Sequence, residues 1–304
     1  MVQQVTAPIL ITGGSGQLGH ALQALAAARG LDFVAVSRPQ FDFEKPETIT
    51  TCFEDAKPLL VINAAAYTAV DAAESNEAAA RAGNHTGPLQ LAALCAAANI
   101  PFIHVSTDYV FDGNKGAAYT EDDATAPTGV YGLTKRDGEE AILATNAKAI
   151  ILRTSWVYAA SGKNFARTML NAARKTNSLR VVADQRGTPT AAPDLAAAIL
   201  DIANILQATG WQPQYRGVFH ATGGGETTWF GFANAIFAAT PDDFPKPVVT
   251  PIATSDWPTP ARRPADSRLD CNKLAKIFGL KLPDWQTSLP PIVTVLLAME
   301  IPAA

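Results

Sequence analysis

The chain has 304 residues, of which 48% are hydrophobic and 17% charged, with a formal net charge of -4 at neutral pH. That length can bury a sizeable core in one large or two intimate domains, and the composition excludes disordered and fibrous chains. The slight acidity argues against general affinity for nucleic acid or for acidic membrane surfaces.

Met1 to Pro8 carries no basic n-region and no cleavable signal pattern. Pro8 to Thr12 is a short apolar run with the look of a buried parallel strand. It leads directly into Gly13-Gly14-Ser15-Gly16-Gln17-Leu18-Gly19 and an Ala/Leu-rich helix over 17–28, closed by Gly30. Strand, glycines and helix in that order predict a phosphate site: Gly13 and Gly16 for a tight turn and close backbone approach, Gly19 for helix–strand packing, and the helix N-terminus for the anion. A second strand over 32–36 ends in Ser37-Arg38 where an acidic residue would favour NAD. Arg38 suits the 2'-phosphate of NADP, and Ser37 offers it a second hydrogen bond.

Alternation continues with a helix over 46–56 entered at Pro46, strand 59–64, helices 71–82 and 86–98, strand 101–106, helix 131–145 and strand 148–153. Such alternation implies an α/β, doubly wound parallel sheet with right-handed crossovers. Its strand ends bear Gly13, Ser37, Asn63-Ala64-Ala65-Ala66, Ser106-Thr107 and Thr154-Ser155-Trp156, where ligands bind in this architecture. Past residue 156 the pattern is irregular and Pro/Gly-rich, with one helix over 194–206 and one strand over 218–221. The organisation expected is a dinucleotide-binding domain over 1–156 plus about 190–222, and a smaller substrate lobe over 157–189 and 223–304. The apolar run Ile292 to Met299 is too short to span a bilayer. Cys52, Cys95 and Cys271 are odd in number and far apart, as expected of reduced thiols in a cytoplasmic protein. The four histidines form no metal cluster, and His104, inside an apolar strand, reads as a packed side chain.

Tyr131 and Lys135, four residues apart on a helix, share a face. A phenol with a reference pKa of about 10 is a poor acid at neutral pH, and a neighbouring ammonium lowers it into use. Thr107, at the end of the preceding strand, completes a candidate catalytic set.

With the glycine loop, Val61-Ile62-Asn63-Ala64-Ala65-Ala66-Tyr67-Thr68-Ala69-Val70-Asp71, Ser106-Thr107-Asp108-Tyr109-Val110-Phe111-Asp112-Gly113, Tyr131-Gly132-x-x-Lys135, Arg153 to Tyr158, Asp184 to Thr190 and Arg263-Pro264, nearly the whole chain resembles an extended short-chain dehydrogenase/reductase. Within that superfamily it resembles the dTDP-4-dehydrorhamnose reductase family. The resemblance implies a Rossmann-type domain with a C-terminal substrate lobe. It also implies NADPH, with NADH as the alternative, delivering hydride to C4 of a dTDP-4-keto-6-deoxy sugar. In that reading Tyr131 donates the proton, Lys135 tunes Tyr131 and hydrogen bonds the nicotinamide ribose, and Thr107 holds the carbonyl oxygen. Gly13, Gly16, Gln17, Leu18, Gly19, Ser37, Arg38, Asp42, Phe43, Asn63 to Ala66 and Tyr67 fall to the cofactor. Asp108, Tyr109 and Trp156 fall to the sugar, and Asn164, Gln185, Thr188 and Arg263 to the nucleotide diphosphate, an Arg matching a pyrophosphate by its fork of donors. Some members are Mg-dependent homodimers, but no acidic cluster here is nameable as a ligand set.

A 4,6-dehydratase of the same superfamily would read Thr-Asp-Glu after the catalytic strand, and this chain has Tyr109 in the Glu position. An epimerase retaining NAD would favour an acidic residue in place of Arg38. A reductase of a different dTDP-4-keto sugar shares the same catalytic set, and a non-catalytic NADP-binding regulatory subunit would have no chemical need for it.

Overall fold

Short runs of Ile, Leu and Val make strands that must be covered on both faces, and this chain surrounds its strands with Ala/Leu-rich helices. The computed structural model describes residues 7–145 and 147–299. From the N-terminus come β1 (Ile9–Thr12), α1 (Gln17–Ala28), β2 (Phe33–Val36), α2 (Pro46–Ala56) and β3 (Leu60–Asn63). Short helices α3 (Val70–Ala73) and α4 (Glu77–Arg81) follow, then a π-helical turn at Ala82–Thr86, α5 (Gly87–Ala97), β4 (Pro101–Thr107), α6 (Val130–Ala144) and β5 (Lys148–Thr154). The second half adds β6 (Val157–Tyr158), α7 (Phe165–Ala173), β7 (Ser178–Val182), β8 (Arg186–Gly187), β9 (Thr190–Ala191) and α8 (Ala192–Thr209). It ends with β10 (Gly217–His220), β11 (Thr227–Thr228), α9 (Trp229–Ala238), β12 (Val248–Ile252), α10 (Asn272–Phe278) and α11 (Trp285–Met299).

Six strands form one parallel sheet in the order β2-β1-β3-β4-β5-β10. The chain winds outward to β2 on one side of β1 and to β3 on the other, so the reversal of winding falls between β1 and β3. A crevice opens at the carboxyl ends of strands at such a reversal, and here it is flanked by Gly13 and Ala64. Strand side chains alternate between faces. Ile9, Ile11, Ile62, Ile103 and Ile150 pack under α1 and α8 through Leu22, Leu195 and Ile199. Leu10, Val61, Phe102 and Ile151 pack against Ile49, Leu91, Cys95 and Ile142 of α2, α5 and α6. A separate core joins α7, α9 and α11 through Leu170, Phe232, Ile236, Val293 and Leu296.

The helix expected over 71–82 is divided. Asn76 caps a new helix by accepting from the Ala79 amide, and a π-helical turn then carries Gly83 against Tyr67. A Cβ on Gly83 would lie 2.9 Å from the Tyr67 Cβ, so local crowding sets the path there. In the second half α7, α9, α10, α11 and the short β-ladders emerge where the sequence read as irregular. Within the region assigned to the substrate lobe, α10 places Leu274 and Phe278 in the sheet-side core instead. The apolar run near the end lies on α11, with Ile292, Val293 and Leu296 buried. Among the described residues no helix is long and apolar enough to cross a membrane. The reading of the N-terminus as lacking a signal pattern falls mostly on residues 1–6, outside the described residues.

Candidate active site

Gly13 leaves β1 with φ +74, and a Cβ there would sit 2.7 Å from the Ala65 amide nitrogen, so conformation and space both require glycine. A Cβ on Gly19 would lie 2.1 Å from the Gly13 carbonyl oxygen, which lets α1 start directly under the loop. Gly16 caps α1 with no side-chain acceptor and no acidic residue stands in the first turn. Its first amides are therefore available to an anion.

These elements open into a cavity of about 690 Å³, within the range of small-molecule sites. Gly13, Gly16, Gln17 and Leu18 line it from α1, Ser37, Arg38, Asp42 and Phe43 from beyond β2, and Ala64, Ala65, Ala66 and Tyr67 from beyond β3. Thr107, Asp108, Tyr109, Tyr131, Lys135 and Trp156 close its other end. Residues 100 positions apart in sequence thus share one cleft.

Thr107 ends β4, where its Oγ1 accepts the Tyr109 amide at 3.2 Å and donates to Asp108 Oδ1 at 2.9 Å. The other carboxylate oxygen, Oδ2, is buried without a hydrogen bond. Burial pushes the Asp108 carboxyl up to about 6, against the pull of the Thr107 and Ser267 hydroxyls. Tyr131 lies in the first turn of α6, its ring edge-on to Tyr109 at 5.5 Å. Gly132 permits this placement, since a Cβ there would come within 2.1 Å of the Tyr109 carbonyl oxygen. One turn on, Lys135 is only 1% exposed; Nζ donates to the Val105 carbonyl at 2.7 Å and lies 3.2 Å from His104 Nε2. Burial draws the Lys135 amine down to about 8, with Glu139 pulling it back up.

Lys135 was expected to lower the Tyr131 pKa. In this arrangement burial raises the phenol above its ordinary value and the Thr107 hydroxyl is what pulls it down. The reason is geometric: the Lys135 amine is turned to Val105 and His104.

The remaining predicted residues lie behind the cleft. Asn63 is fully buried, accepting from Thr12 Oγ1 at 2.6 Å and the Ala65 amide at 3.1 Å. Asn164 caps α7 and donates to Gln17 Oε1 at 3.0 Å. Gln185 bridges Thr254 and the Trp229 indole, and Thr188 donates to the Gly225 carbonyl. Arg263 is held by Asp71 at 2.8 Å while its guanidinium stands 5.9 Å over the Tyr109 ring. None of these four lines the cavity itself, and each has a protein partner at its margin. Trp156 does line it, in a left-handed conformation (φ +45) costly for a bulky residue, and stacks on Trp229 with ring centroids 3.6 Å apart.

Ser106 and Thr154, read from sequence only as strand-end residues, have buried hydroxyls that lack partners; they line the cavity, as does the exposed cation Lys163, which sequence reading passed over. His104, read as a packed side chain, is fully buried and also hydrogen bonded. The signal was available: Thr12 and Asn63 are polar residues ending apolar strands β1 and β3, and His104 is a polar residue in the middle of β4. Among the described residues no group of three or more His, Cys, Asp and Glu side chains could hold a metal ion.

The Asp108 carboxyl supplies a stability test. Its native pKa exceeds the unfolded value near 3.8, so the folded state binds its proton more tightly. The contribution is full below that unfolded value and is lost as pH rises through about 6, with a span of up to about 3 kcal/mol. Asp108→Asn is expected to gain in thermal midpoint relative to wild type between pH ~5 and pH ~8. Parallel midpoints across that interval would show that Asp108 is not buried as a perturbed acid.

A family model described as the RmlD substrate binding domain matches residues 7–297. The dTDP-4-dehydrorhamnose reductase of Burkholderia thailandensis is 45% identical over 284 residues, covering 91% of this chain and 95% of that protein. A crystal structure of a dTDP-4-dehydrorhamnose reductase from Clostridium acetobutylicum matches with a TM-score of 0.88 at 36% identity, over 95% of this chain and 99% of that one. The Bacillus anthracis enzyme of the same name, in complex with NADP, matches with a TM-score of 0.86 at 30% identity, over the same shares of the two chains. Similarity of this extent, over a chain whose cleft carries Thr107, Tyr131 and Lys135 beside a glycine loop, means that the protein belongs to the dTDP-4-dehydrorhamnose reductase family.

Proposed function

We propose that this chain is an NADPH-dependent oxidoreductase that reduces the C4 keto group of a dTDP-4-keto-6-deoxy sugar, dTDP-4-dehydro-L-rhamnose giving dTDP-L-rhamnose. The observation that carries this reading is the single cleft in which the Gly13 loop, the Arg38 side chain and the Thr107–Tyr131 pair meet. The cofactor fits the residues present: a left-handed glycine without a Cβ, unpaired helix amides and a guanidinium beyond β2. NADPH bound there supplies the hydride for the sugar carbonyl.

The protein's own part is binding and proton management. Gly13, Gly16 and the α1 amides hold the diphosphate, and Ser37 with Arg38 holds the 2'-phosphate. Thr107 polarises the carbonyl oxygen, and Tyr131 gives its proton to that oxygen as charge develops there. A phenol raised by burial is fully protonated at neutral pH, which is the form a donor needs. Asp108 sets the direction of the Thr107 hydrogen. As a carboxylate it accepts that hydrogen at Oδ1; as the neutral acid it can donate, leaving Thr107 free to point its hydrogen at substrate. Arg263, Asn164, Gln185 and Thr188 support the second lobe around the nucleotide-sugar.

The reading is tested by supplying dTDP-4-dehydro-L-rhamnose and following NADPH oxidation by absorbance, with product identified by mass spectrometry. NADPH binding with no oxidation would overturn it, in favour of another keto sugar or a non-catalytic role. A second expectation concerns the cofactor. Arg38→Ala removes a charge-assisted contact worth about 1.5–3 kcal/mol, so NADPH affinity should fall by roughly 10- to 150-fold while NADH affinity changes little. Equal losses for the two cofactors in isothermal titration would remove Arg38 from the 2'-phosphate.

A further inference from the structure

The segment between β6 and α7, residues 159–164, is a tight loop whose shape is fixed at its base. Asn164 caps α7 by accepting the Arg167 amide at 3.0 Å, and its Nδ2 donates back to the Ala159 carbonyl at 2.8 Å. The Arg167 guanidinium reaches the Ala160 carbonyl at 2.6 Å. With both base carbonyls held, the chain reverses at its tip, where Gly162 adopts φ +71. That tip rests on α1. A Cβ on Gly162 would lie 2.9 Å from Gln17 Cγ, and Asn164 Nδ2 also donates to Gln17 Oε1 at 3.0 Å. Gln17 is the first residue of α1. A loop from the second half of the chain is thus seated on the turn of helix whose free amides adjoin the cleft, by a glycine that leaves room and an amide that bonds.

The residue after that glycine is Lys163, and both line the cleft together with Gly13, Gly16 and Gln17. The cations of the lining are Arg38, Lys135 and Lys163. Arg38 stands beyond β2, and Lys135 is buried with its Nζ on the Val105 carbonyl. Lys163 is exposed, and among the described residues it has no hydrogen-bond or ion-pair partner. The acids of the lining, Asp42, Glu44 and Asp108, follow β2 and β4 rather than α1. A diphosphate bridge carries a negative charge on each of its phosphates. The start of a helix offsets only about half an elementary charge, so the α1 amides alone leave most of that charge unmatched. A solvated surface lysine needs neither a cleft nor a braced loop beneath it.

We infer that Lys163 is the cation for the cofactor diphosphate, brought by the 159–164 loop to the start of α1 so that ammonium and helix amides hold the anion together. The identity of that anion as the NADPH diphosphate rests on the reductase reading. A nucleotide-sugar also bears a diphosphate, but Gly162 and Asn164, on either side of Lys163, both meet Gln17 of the helix that follows the glycine loop. That contact assigns Lys163 to the cofactor. Because the same loop leads into α7, the bound cofactor is then held from both halves of the chain.

Isothermal titration of NADPH, with no sugar present, into wild type, Lys163→Ala and Lys163→Arg tests the assignment. Lys163→Ala should bind NADPH about 5- to 30-fold more weakly, the range for one charge-assisted contact from an exposed side chain, and Lys163→Arg should stay within about threefold of wild type. Adenosine 2'-monophosphate has the 2'-phosphate and no diphosphate, so Lys163→Ala should bind it as wild type does, whereas Arg38→Ala should lose affinity for both ligands. The deficit of Lys163→Ala should also shrink as salt is raised from ~0.05 M to ~0.5 M, since an exposed ion pair is screened. Unchanged NADPH affinity in Lys163→Ala, or an equal loss for adenosine 2'-monophosphate, would overturn the inference. So would a deficit seen with dTDP and not with NADPH, which would give Lys163 to the nucleotide-sugar. The side chain is exposed and unpaired, so both variants should melt with wild type and the titrations compare folded proteins. No keto sugar enters the experiment; a protein that binds NADPH through Lys163 and reduces no dTDP-sugar would count against the reductase reading alone.

Discussion

Tyr131→Phe should retain the fold and NADPH binding yet lose about 10²- to 10⁴-fold in kcat, the usual worth of a positioned proton donor. The ring is half-buried at the cavity wall and edge-on to Tyr109, and Phe preserves that packing. What disappears is one hydroxyl whose acidity the site has weakened by burial, with only Thr107 pulling the other way. Because the hydroxyl is costly to bury, the variant should not melt below wild type. The same raised pKa carries a sign for the pH profile. The reducing direction needs the neutral phenol, so no alkaline loss from Tyr131 itself should appear at the pH where an exposed tyrosine ionises, about 10. Unchanged turnover in Tyr131→Phe, measured by NADPH consumption with the dTDP-sugar, would transfer the donor role to another group.

Thr107→Val is expected to cost both rate and stability, and for separable reasons. Valine keeps the shape and removes one donor and two acceptor sites. Loss of a donor aimed at a developing oxyanion costs about 10²- to 10³-fold in kcat. Loss of the hydrogen bond to Asp108 Oδ1, now 2.9 Å long, removes the main side-chain hydrogen-bond donor of a buried carboxyl. This costs about 1–3 kcal/mol in unfolding free energy, and more at alkaline than at acid pH, because only the carboxylate needs the donor. Thr107→Ser restores the hydroxyl and should recover most of both losses. If Ser fails to rescue while the protein remains folded, the Thr107 methyl group matters and the polarising role is wrong. Chemical denaturation at two pH values, together with kcat, separates these outcomes.

The first half of the fold was legible because its signals are local. Helix α1 and helix α2 follow from an apolar periodicity with a glycine loop before one and Pro46 at the start of the other, and their bounds match the expected 17–28 and 46–56. Strands β1, β3, β4 and β5 are apolar runs bounded by turns, which can only be buried strands in an alternating chain. Sequence alone also picked out Thr107, Tyr131 and Lys135 as a candidate set of chemistry-bearing residues, and the Ser37-Arg38 pair where an acid would otherwise stand.

In the second half α8 and β10 match the helix expected over 194–206 and the strand over 218–221, but the other elements were not legible, since they owe their form to partners distant in the chain. Helix α11 contains Pro290 and Pro291, a residue type that disfavours a helix interior, yet it is held by the buried faces of Ile292, Val293 and Leu296 against α7 and α9. The two-residue ladders exist only because strands from elsewhere lie beside them. Tertiary structure alone likewise decided what each polar residue faces. Asn164, Gln185, Thr188 and Arg263 stand as ligand contacts by motif, and the fold adds the protein partner each one has. His104 looked like a packed side chain by its apolar strand, and the register of β1, β3 and β4 also lines it up with Thr12 and Asn63. A sequence states which groups can hydrogen bond; a hydrogen bond is short and directional, so only the assembled fold states to whom.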